Sequence, residues 1–422
     1  MVSCLIRYTL LATLVLFVIV SRAAYVSDFA GVNRDGPMYI AALDLDSRTY
    51  EVPAPGKIGF VLLAAAARKV GANPIHAYAV VTIGLSVVAT VFIFLFATLY
   101  VPRAIAGAVT LAVMCGPIVW VYGSVIASYI VWLACFPAIA YFGVRYVRER
   151  RPGLAIATAT AVGLASILRA DMTAFAGPLL VGVLALGRAP FKYWVLSAAI
   201  GLGSAAVWFF SSAAVSGGLA GYLYLIREQR EYHFELGVGG LGLMGGLVRN
   251  GVKYSLFLLW DAAPLLLPAA LFVYRQRGAI MRRRKELALV TIGLAPILLF
   301  SGMMVTCTGG LIFPLLPLLG VAAGRGLLDF FGGRSHLVVA SLLLIAAVST
   351  LQFVYAPILS NGRQRNVIVN VMFTKQAGPA IRQRYYYNLE DFDMDSSLAN
   401  VLRQMRANDP VPRYPADFRG SR

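Results

Sequence analysis

The feature that most constrains this chain is a series of apolar runs close to 20 residues long, the length of an α-helix that crosses the hydrocarbon core of a bilayer. Within lipid, a helix satisfies all of its backbone hydrogen bonds internally. Hydrophobic residues make up 59% of the chain and the mean hydropathy is +0.75. The sequence therefore predicts an all-α polytopic membrane protein with about eleven transmembrane helices. We expect these spans near residues 5–20, 76–100, 104–121, 124–144, 154–170, 172–187, 193–213, 253–274, 287–305, 309–328 and 337–357.

The basic residues predict how the chain is oriented. A net charge of +18 in a soluble protein suggests a nucleic-acid partner, but here the positive residues are concentrated in short loops between the apolar runs. Eleven spans place these loops on one side, which the positive-inside rule makes cytoplasmic. The loops contain Arg103, Arg145, Arg148, Arg150, Arg151, Arg188, Lys192, the run 275–285, Arg325 and Arg334. We expect a multi-pass protein of the plasma (inner) membrane that contacts the lipid bilayer and no nucleic acid, with a cytoplasmic N-terminus and an extracytoplasmic C-terminus.

The same topology divides the chain into a transmembrane module and a short tail. The first apolar run is interpreted as an uncleaved anchor, although the residues that follow it loosely imitate a signal-peptidase site. A glycine-rich segment in the second outer loop suggests a hinge. The predicted parts are a transmembrane module over 1–357 and an extracytoplasmic region over 358–422. The module contains an outer acidic loop at 23–57, a surface helix at 58–70 and an outer loop at 214–252. This second outer loop contains a helix at 219–236 and the glycine-rich segment at 237–246.

The outer loop at 23–57 is the first candidate for chemistry. It contains five of the chain's 19 acidic residues. Carboxylates at a membrane edge cost desolvation energy unless they are hydrated, form ion pairs or take part in binding or catalysis. Asp35 precedes Gly36 and Pro37, a pattern typical of a helix N-cap. The functional alternative is that Asp35, beside Tyr39, accepts a proton from an incoming hydroxyl. One carboxylate can serve both roles.

Arg169 and Asp171 form a second candidate, at the predicted outer end of a span. Ionisable residues at membrane depth are functional candidates by default. One interpretation is a mutual salt bridge at a tight turn. The other is that Arg169 binds a phosphate, because its planar guanidinium matches phosphate oxygens and stays charged. Lys57, Arg249 and Lys253 are further candidates for the same anion, or interfacial residues whose charged ends extend to water.

Four segments resemble the GT-C superfamily of membrane glycosyltransferases, and in particular its PMT/ArnT-like members (glycosyltransferase family 39-like). The first two are RDGPMYIAALDL in the acidic loop and EVPAPGKIGFVLLAAAARKVG, which leads into a span. The later two are GLASILRADMTAFAGPLL and GGLIFPLLPLLGVAAGRGL. The resemblance covers most of residues 1–330 and implies a GT-C-like fold with outer-face surface helices.

The resemblance implies transfer of a sugar from a polyprenyl-phosphate donor to a hydroxyl of a glycolipid, polysaccharide or protein on the outer face. It assigns the catalytic base to Asp35, with Asp28 as second choice, and the mid-chain basic position to Arg169. Around these we expect Lys57, Arg249 and Lys253 to bind the donor phosphate, and Tyr39, Glu51 and Asp171 to contact substrate. No cofactor is expected. Gly36 stands where many members carry a second acid, and the turn at 123–128 lacks a carboxylate, which puts a divalent metal in doubt.

Two other functions stay open on the sequence. A transporter or flippase of an amphiphilic substrate also uses an arginine at membrane depth and glycine-rich breaks, and it predicts a two-fold repeat of hydropathy. No such repeat is visible in this chain. A non-catalytic membrane subunit is the other alternative, in which Asp35 is only a helix cap and Arg169 only a salt-bridge partner.

Overall fold

The computed structural model of the protein describes residues 2–24, 39–40, 42–43, 45, 56–233, 240–303 and 309–355. The regular structure of these residues is helical, with no strand among them. The helices are α1 (Val2–Ala23), α2 (Ile58–Lys69), α3 (Pro74–Ala97), α4 (Arg103–Met114), α5 (Pro117–Tyr122), α6 (Ile130–Glu149), α7 (Pro152–Leu168), α8 (Met172–Leu186), α9 (Phe191–Val215), α10 (Leu219–His233), α11 (Gly240–Arg282), α12 (Arg284–Met303), a 3-10 turn (Gly309–Ile312), α13 (Leu316–Phe330) and α14 (Ser335–Tyr355).

Five of the described helices are long and apolar enough to cross a membrane: α3, α6, α9, the 250–278 part of α11 and the 335–353 part of α14. Four more apolar helices are shorter, namely α4, α7, α8 and the 9–23 part of α1. The predicted class, an all-helical membrane protein, is confirmed. The predicted span at 287–305 corresponds to the 20-residue α12, and the one at 309–328 corresponds to the 3-10 turn and α13.

One interruption divides the predicted span at 104–121 into α4 and α5. The break falls at Gly116 and Pro117, where proline has no N–H to continue the helix. The Oδ1 atom of Asp261, from the middle of α11, accepts hydrogen bonds from the backbone N–H groups of Ile118 at 2.6 Å and Val119 at 3.3 Å. A Cβ at position 116 would lie 2.7 Å from this carboxylate. Glycine is therefore required for the approach that lets Asp261 cap α5.

Three of the predicted basic groups, at 145–151, 275–285 and Arg325, meet at one end of the bundle, which we call the basic end. The Arg148 guanidinium pairs with both carboxylate oxygens of Glu286 at 3.0 Å and also donates to the Leu99 carbonyl. Arg325 donates to the carbonyl of Tyr100. These contacts join the ends of α3, α6 and α13 to the start of α12, as expected if their charges face one side of the membrane.

Two local predictions differ from the structure. The glycine-rich segment at 237–246 was expected to be a hinge, but α11 begins within it at Gly240 and continues as one helix to Arg282. The basic run at 275–285 was expected to be a loop, but it is helical on both sides of a break at Arg283. In both segments the long helix continues because each added residue gains a backbone hydrogen bond.

The opposite end of the bundle, which we call the site end, is reached by α7. This helix starts after Arg151 at the basic end and its 17 residues extend about 25 Å. The short helix expected at 58–70 is present as α2, and its Ile58, Phe60 and Val61 are buried. Gly59 brings α2 against the end of α7, where a Cβ would lie 2.5 Å from the Ile167 carbonyl oxygen. The polar residues beside this contact form the candidate site.

Candidate functional site

The backbone at Arg169 turns its side chain into the bundle. α7 ends at Leu168, and Arg169 has extended angles (φ −146°, ψ 113°) while its N–H still donates to Ala165 at 2.9 Å. α8 begins three residues further, after Asp171. The turn between two antiparallel helices thus carries both ionisable residues. The Arg169 side chain is only 5% exposed and the Asp171 side chain 22%.

Arg169 makes polar contacts through three of its five N–H groups. Its Nε donates to Asp171 Oδ1 at 3.0 Å and its Nη2 donates to Asp171 Oδ2, so the pair is bidentate. Its Nη1 donates to Ser128 Oγ at 3.0 Å. The guanidinium lies over two rings, 4.8 Å from the centroid of Tyr129 and 5.5 Å from that of Trp132. The mutual salt bridge is therefore present, inside a network that fixes the plane of the guanidinium.

Ser128 connects Arg169 to Tyr39, which precedes α2 in the chain. The Tyr39 hydroxyl donates to Ser128 Oγ at 2.9 Å, and the Tyr78 hydroxyl donates to the Tyr39 carbonyl at 2.6 Å. Tyr39 is buried against Phe60 of α2, with ring centroids 5.4 Å apart. Ser128 Oγ thus accepts two hydrogen bonds, and a hydroxyl has one proton of its own to donate.

Lys57 stands at the other side of Tyr39, with its ammonium nitrogen 5.9 Å from the centre of the tyrosine ring. Its position is set by Gly56, whose φ of +99° favours glycine and whose carbonyl accepts from the Ala170 N–H at 3.4 Å. This hydrogen bond joins the residue before Lys57 to the turn that carries Arg169. Lys57 is half-buried.

The helix α10 packs on the end of α9, beside Gly56. Its Tyr222 is 1% exposed, and the ring lies 5.5 Å from that of Phe209. Burial raises the pKa of Tyr222 to about 12. A Cβ on Gly56 would lie 3.1 Å from the Ser212 hydroxyl oxygen near the end of α9. The end of α9, which α10 covers, therefore contacts the loop residue that precedes Lys57.

Within the described residues, this group carries a net positive charge. Asp171 balances the charge of Arg169, and Lys57 adds one more cation next to Tyr39. Aromatic rings and the helix backbone surround the group, so water screens these charges less than it does at a surface. Chemically, the arrangement provides a fixed guanidinium, a flexible ammonium and hydroxyl donors, which together suit an anionic oxygen ligand.

Four residues proposed from the sequence are brought together by the structure: Tyr39, Lys57, Arg169 and Asp171. Lys253 is exposed on α11 and forms no ion pair with Asp171 among the described contacts. Arg249 also lies in α11, but its side chain is outside the described residues. The three remaining predicted residues, Asp28, Asp35 and Glu51, lie outside the described residues as well.

The network also contains Ser128, Tyr129 and Trp132, which sequence reasoning did not propose. They occur in the segment SYIVWL, which reads as the beginning of a membrane span. Nothing in that pattern indicates that these three residues contact Arg169 rather than simply forming part of an apolar helix.

Comparisons with known proteins support the fold. No family model matches the chain, and no curated protein is significantly similar to it. Among solved structures, the chain is similar to an oligosaccharyltransferase of Archaeoglobus fulgidus in its apo form, with a TM-score of 0.50 at 13% sequence identity. The match covers 82% of this chain and 55% of the archaeal one.

The chain has a GT-C-type membrane fold. At this level of identity the likeness concerns the fold alone, and the chain spans about half the length of the archaeal enzyme. The fold expected from the sequence resemblance is thus confirmed.

Proposed function

We propose that this protein is an integral membrane glycosyltransferase that transfers a sugar from a polyprenyl-phosphate-linked donor to an acceptor hydroxyl at the site end of the bundle. The observation that carries the proposal is the buried network of Arg169, Asp171, Ser128 and Tyr39, with Lys57 beside it, in a bundle of the GT-C type. The fold supports glycosyl transfer in general. The two cations support an anionic donor.

In this proposal the donor phosphate binds between Lys57 and the turn that carries Arg169. Lys57 is the more adaptable ligand, because its ammonium sits on a flexible chain. Arg169 acts as a fixed charge, because Asp171 and Ser128 hold its guanidinium in place. Such preorganised donors cost no reorganisation when negative charge develops, and removing one typically lowers the rate by about 10²–10³-fold.

The reaction is a single displacement at the anomeric carbon. The acceptor oxygen forms the new bond to that carbon while the bond between the carbon and the phosphate oxygen breaks, which inverts the configuration. Asp35 takes the proton of the acceptor hydroxyl. The electron pair of the broken bond leaves with the polyprenyl phosphate, and Lys57 and Arg169 stabilise its charge. The acceptor is a glycolipid, a polysaccharide or a protein.

The proposal is tested in membranes that contain the full-length protein and a radiolabelled polyprenyl-phosphate sugar, by following label into acceptor material. We expect Asp35→Asn to abolish transfer, since the amide retains the size and capping ability of the side chain but cannot accept the proton. Asp46→Asn, in the same loop, is the matched control and should transfer at the wild-type rate.

If both variants transfer equally, the base is reassigned to Asp28 and that residue is substituted next. If wild-type protein transfers no sugar from any donor tried, the glycosyltransferase proposal fails and the transporter and subunit alternatives replace it. A product that retains the donor's anomeric configuration contradicts the single displacement.

A further inference from the structure

A cleft lies between α3, α6, α8, α12 and the start of α13. Its cavity has a volume of about 60 Å³ and is partly open to its surroundings; this is about four times the roughly 15 Å³ that one water molecule requires. Most of its lining is apolar, with Phe96, Phe136, Leu179 and Leu294 among the contributors. Its polar lining residues are Tyr100 and Glu286.

The cleft is elongated along the helices. On α12 its lining extends from Glu286 to Leu294, about 12 Å at the rise of an α-helix. Pro137 in the middle of α6 and Gly293 on α12 also line it, and neither fills space as a larger side chain would. A slot of this shape suits an extended hydrocarbon chain that runs parallel to the membrane helices.

The polar end of the cleft lies at the basic end of the bundle. Glu286 there is held by Arg148 at 2.9 Å, and Arg283 lies 3.8 Å from it. Two cations and one carboxylate leave this rim positive. The Arg283 side chain is 60% exposed, so it can reach a ligand outside the helices.

The opposite end of the cleft lies toward the Arg169 network, and aromatic rings stand between the two. Phe136, which lines the cleft, stacks on Trp132 with ring centroids 6.2 Å apart, and Trp132 also packs on Phe175 at 4.8 Å. A ligand whose charged group lies at the basic end therefore has its apolar part pointing toward these rings. That orientation is opposite to the one required of a donor whose phosphate is at Arg169.

We propose that the cleft binds one acyl chain of an anionic phospholipid from the leaflet at the basic end, with the phosphate of its headgroup on Arg283 and Arg148. The apolar lining accounts for the chain, and the positive rim accounts for the charge of the headgroup. The site is separate from the transfer site, so it does not depend on the proposed function.

The test measures retention of added lipid by purified full-length protein in detergent, using native mass spectrometry and thermal unfolding. The probes are palmitoyl-oleoyl phosphatidylglycerol and the zwitterionic phosphatidylcholine with the same chains. We expect wild-type protein to bind the anionic lipid about fivefold more tightly for each basic contact. Arg283→Gln should reduce this preference, whereas Arg103→Gln, at an exposed position on the same end, should preserve it.

A second pair of variants tests whether the acyl chain binds in the cleft. Gly293→Leu places a branched side chain in the cleft and should weaken binding roughly tenfold, equivalent to the loss of about two methylene contacts. Gly201→Leu is the matched control, because a Cβ there has nothing within 4 Å. If Gly293→Leu does not fold, Ala140→Phe fills the cleft from α6.

Three results overturn the proposal. Equal binding of the two lipids removes the role of the positive rim. Unchanged binding in the variants that fill the cleft places the lipid elsewhere. Loss of phosphatidylglycerol in Arg169→Met, with the protein folded, assigns the lipid to the transfer site.

Discussion

Asp171→Asn tests whether Arg169 behaves as one partner of a buried ion pair. In this variant the guanidinium keeps its charge, loses both bonds to a carboxylate and stays 5% exposed. Removing one partner of a buried pair typically costs about 3–5 kcal/mol. Because Asp171 is itself 22% exposed, we expect the lower value, a decrease of about 3 kcal/mol in the free energy of unfolding.

Substituting the other partner, Arg169, should lower the free energy of unfolding by less. In Arg169→Met the carboxylate that remains can be reached by water, and Ser128 keeps its hydrogen bond from Tyr39. We expect a loss of about 2 kcal/mol, which is within the range of about 1.5–3 kcal/mol for a hydrogen bond to a charged group. In the double variant no buried charge is left alone, so it should be more stable than the sum of the two losses predicts, by about 2 kcal/mol.

The assay is unfolding of the purified protein in mixed micelles with increasing sodium dodecyl sulfate. Glu149→Gln is the control, because Glu149 pairs with Arg145 where both side chains are about 30% exposed, and pairs of that kind contribute about 0–1 kcal/mol. Equal losses for Asp171→Asn and Glu149→Gln, or additive losses in the double variant, would refute the argument that the Arg169 network is desolvated.

Three further substitutions follow from the same packing. Gly59→Val should displace α2 from α7 and lower the unfolding temperature, since its Cβ meets the Ile167 carbonyl at 2.5 Å; Gly84→Val, where a Cβ has nothing within 4 Å, should leave that temperature unchanged. Ser128→Ala removes an acceptor shared by two side chains and should reduce sugar transfer in the radiolabel assay by about tenfold, equivalent to about 1.4 kcal/mol; unchanged transfer contradicts a role for the network. Asp261→Ala removes the oxygen that accepts the hydrogen bonds at the start of α5, and should cost about 1 kcal/mol in the micelle unfolding assay; no loss contradicts the capping role.

The helical architecture was predictable because it follows from local chemistry. Apolar runs near 20 residues can only be helices in lipid, and the pairing of Arg169 with Asp171 follows from two ionisable residues at one turn. The fold class and four of the clustered site residues were therefore within reach of the sequence. The break between α4 and α5 was not, because the carboxylate that caps α5 comes from a distant helix.

The partners of Arg169 show where sequence reasoning ended. Ser128 precedes Arg169 by 41 residues, and only the packing of α6 against α7 brings the two together. The aromatic rings over the guanidinium come from the same segment, whose composition is that of any membrane span. A hydroxyl in such a segment usually bonds to its own helix, so its role as a shared acceptor could not be inferred.

The glycines of α11 were misjudged for a related reason. Each costs about 1 kcal/mol relative to alanine inside a helix, which favoured a hinge. That local cost is offset when a segment extends a helix already formed, because no new nucleus is needed. The packed part of α11, which includes the buried Asn250 and Asp261, supplies the helix that Gly240 extends.

The capping of α5 by Asp261 has a consequence for how the protein is made. The carboxylate is 143 residues beyond Ile118, and a ribosome needs about 7–30 s to synthesise that length. During that interval the amide groups at the start of α5 have entered the membrane without the acceptor that they have in the finished protein. Biogenesis must supply water or another polar partner there until α11 is inserted. The start of α5 thus receives its hydrogen-bond acceptor only when the second half of the bundle is made. A polypeptide that ends before Asp261 lacks that acceptor.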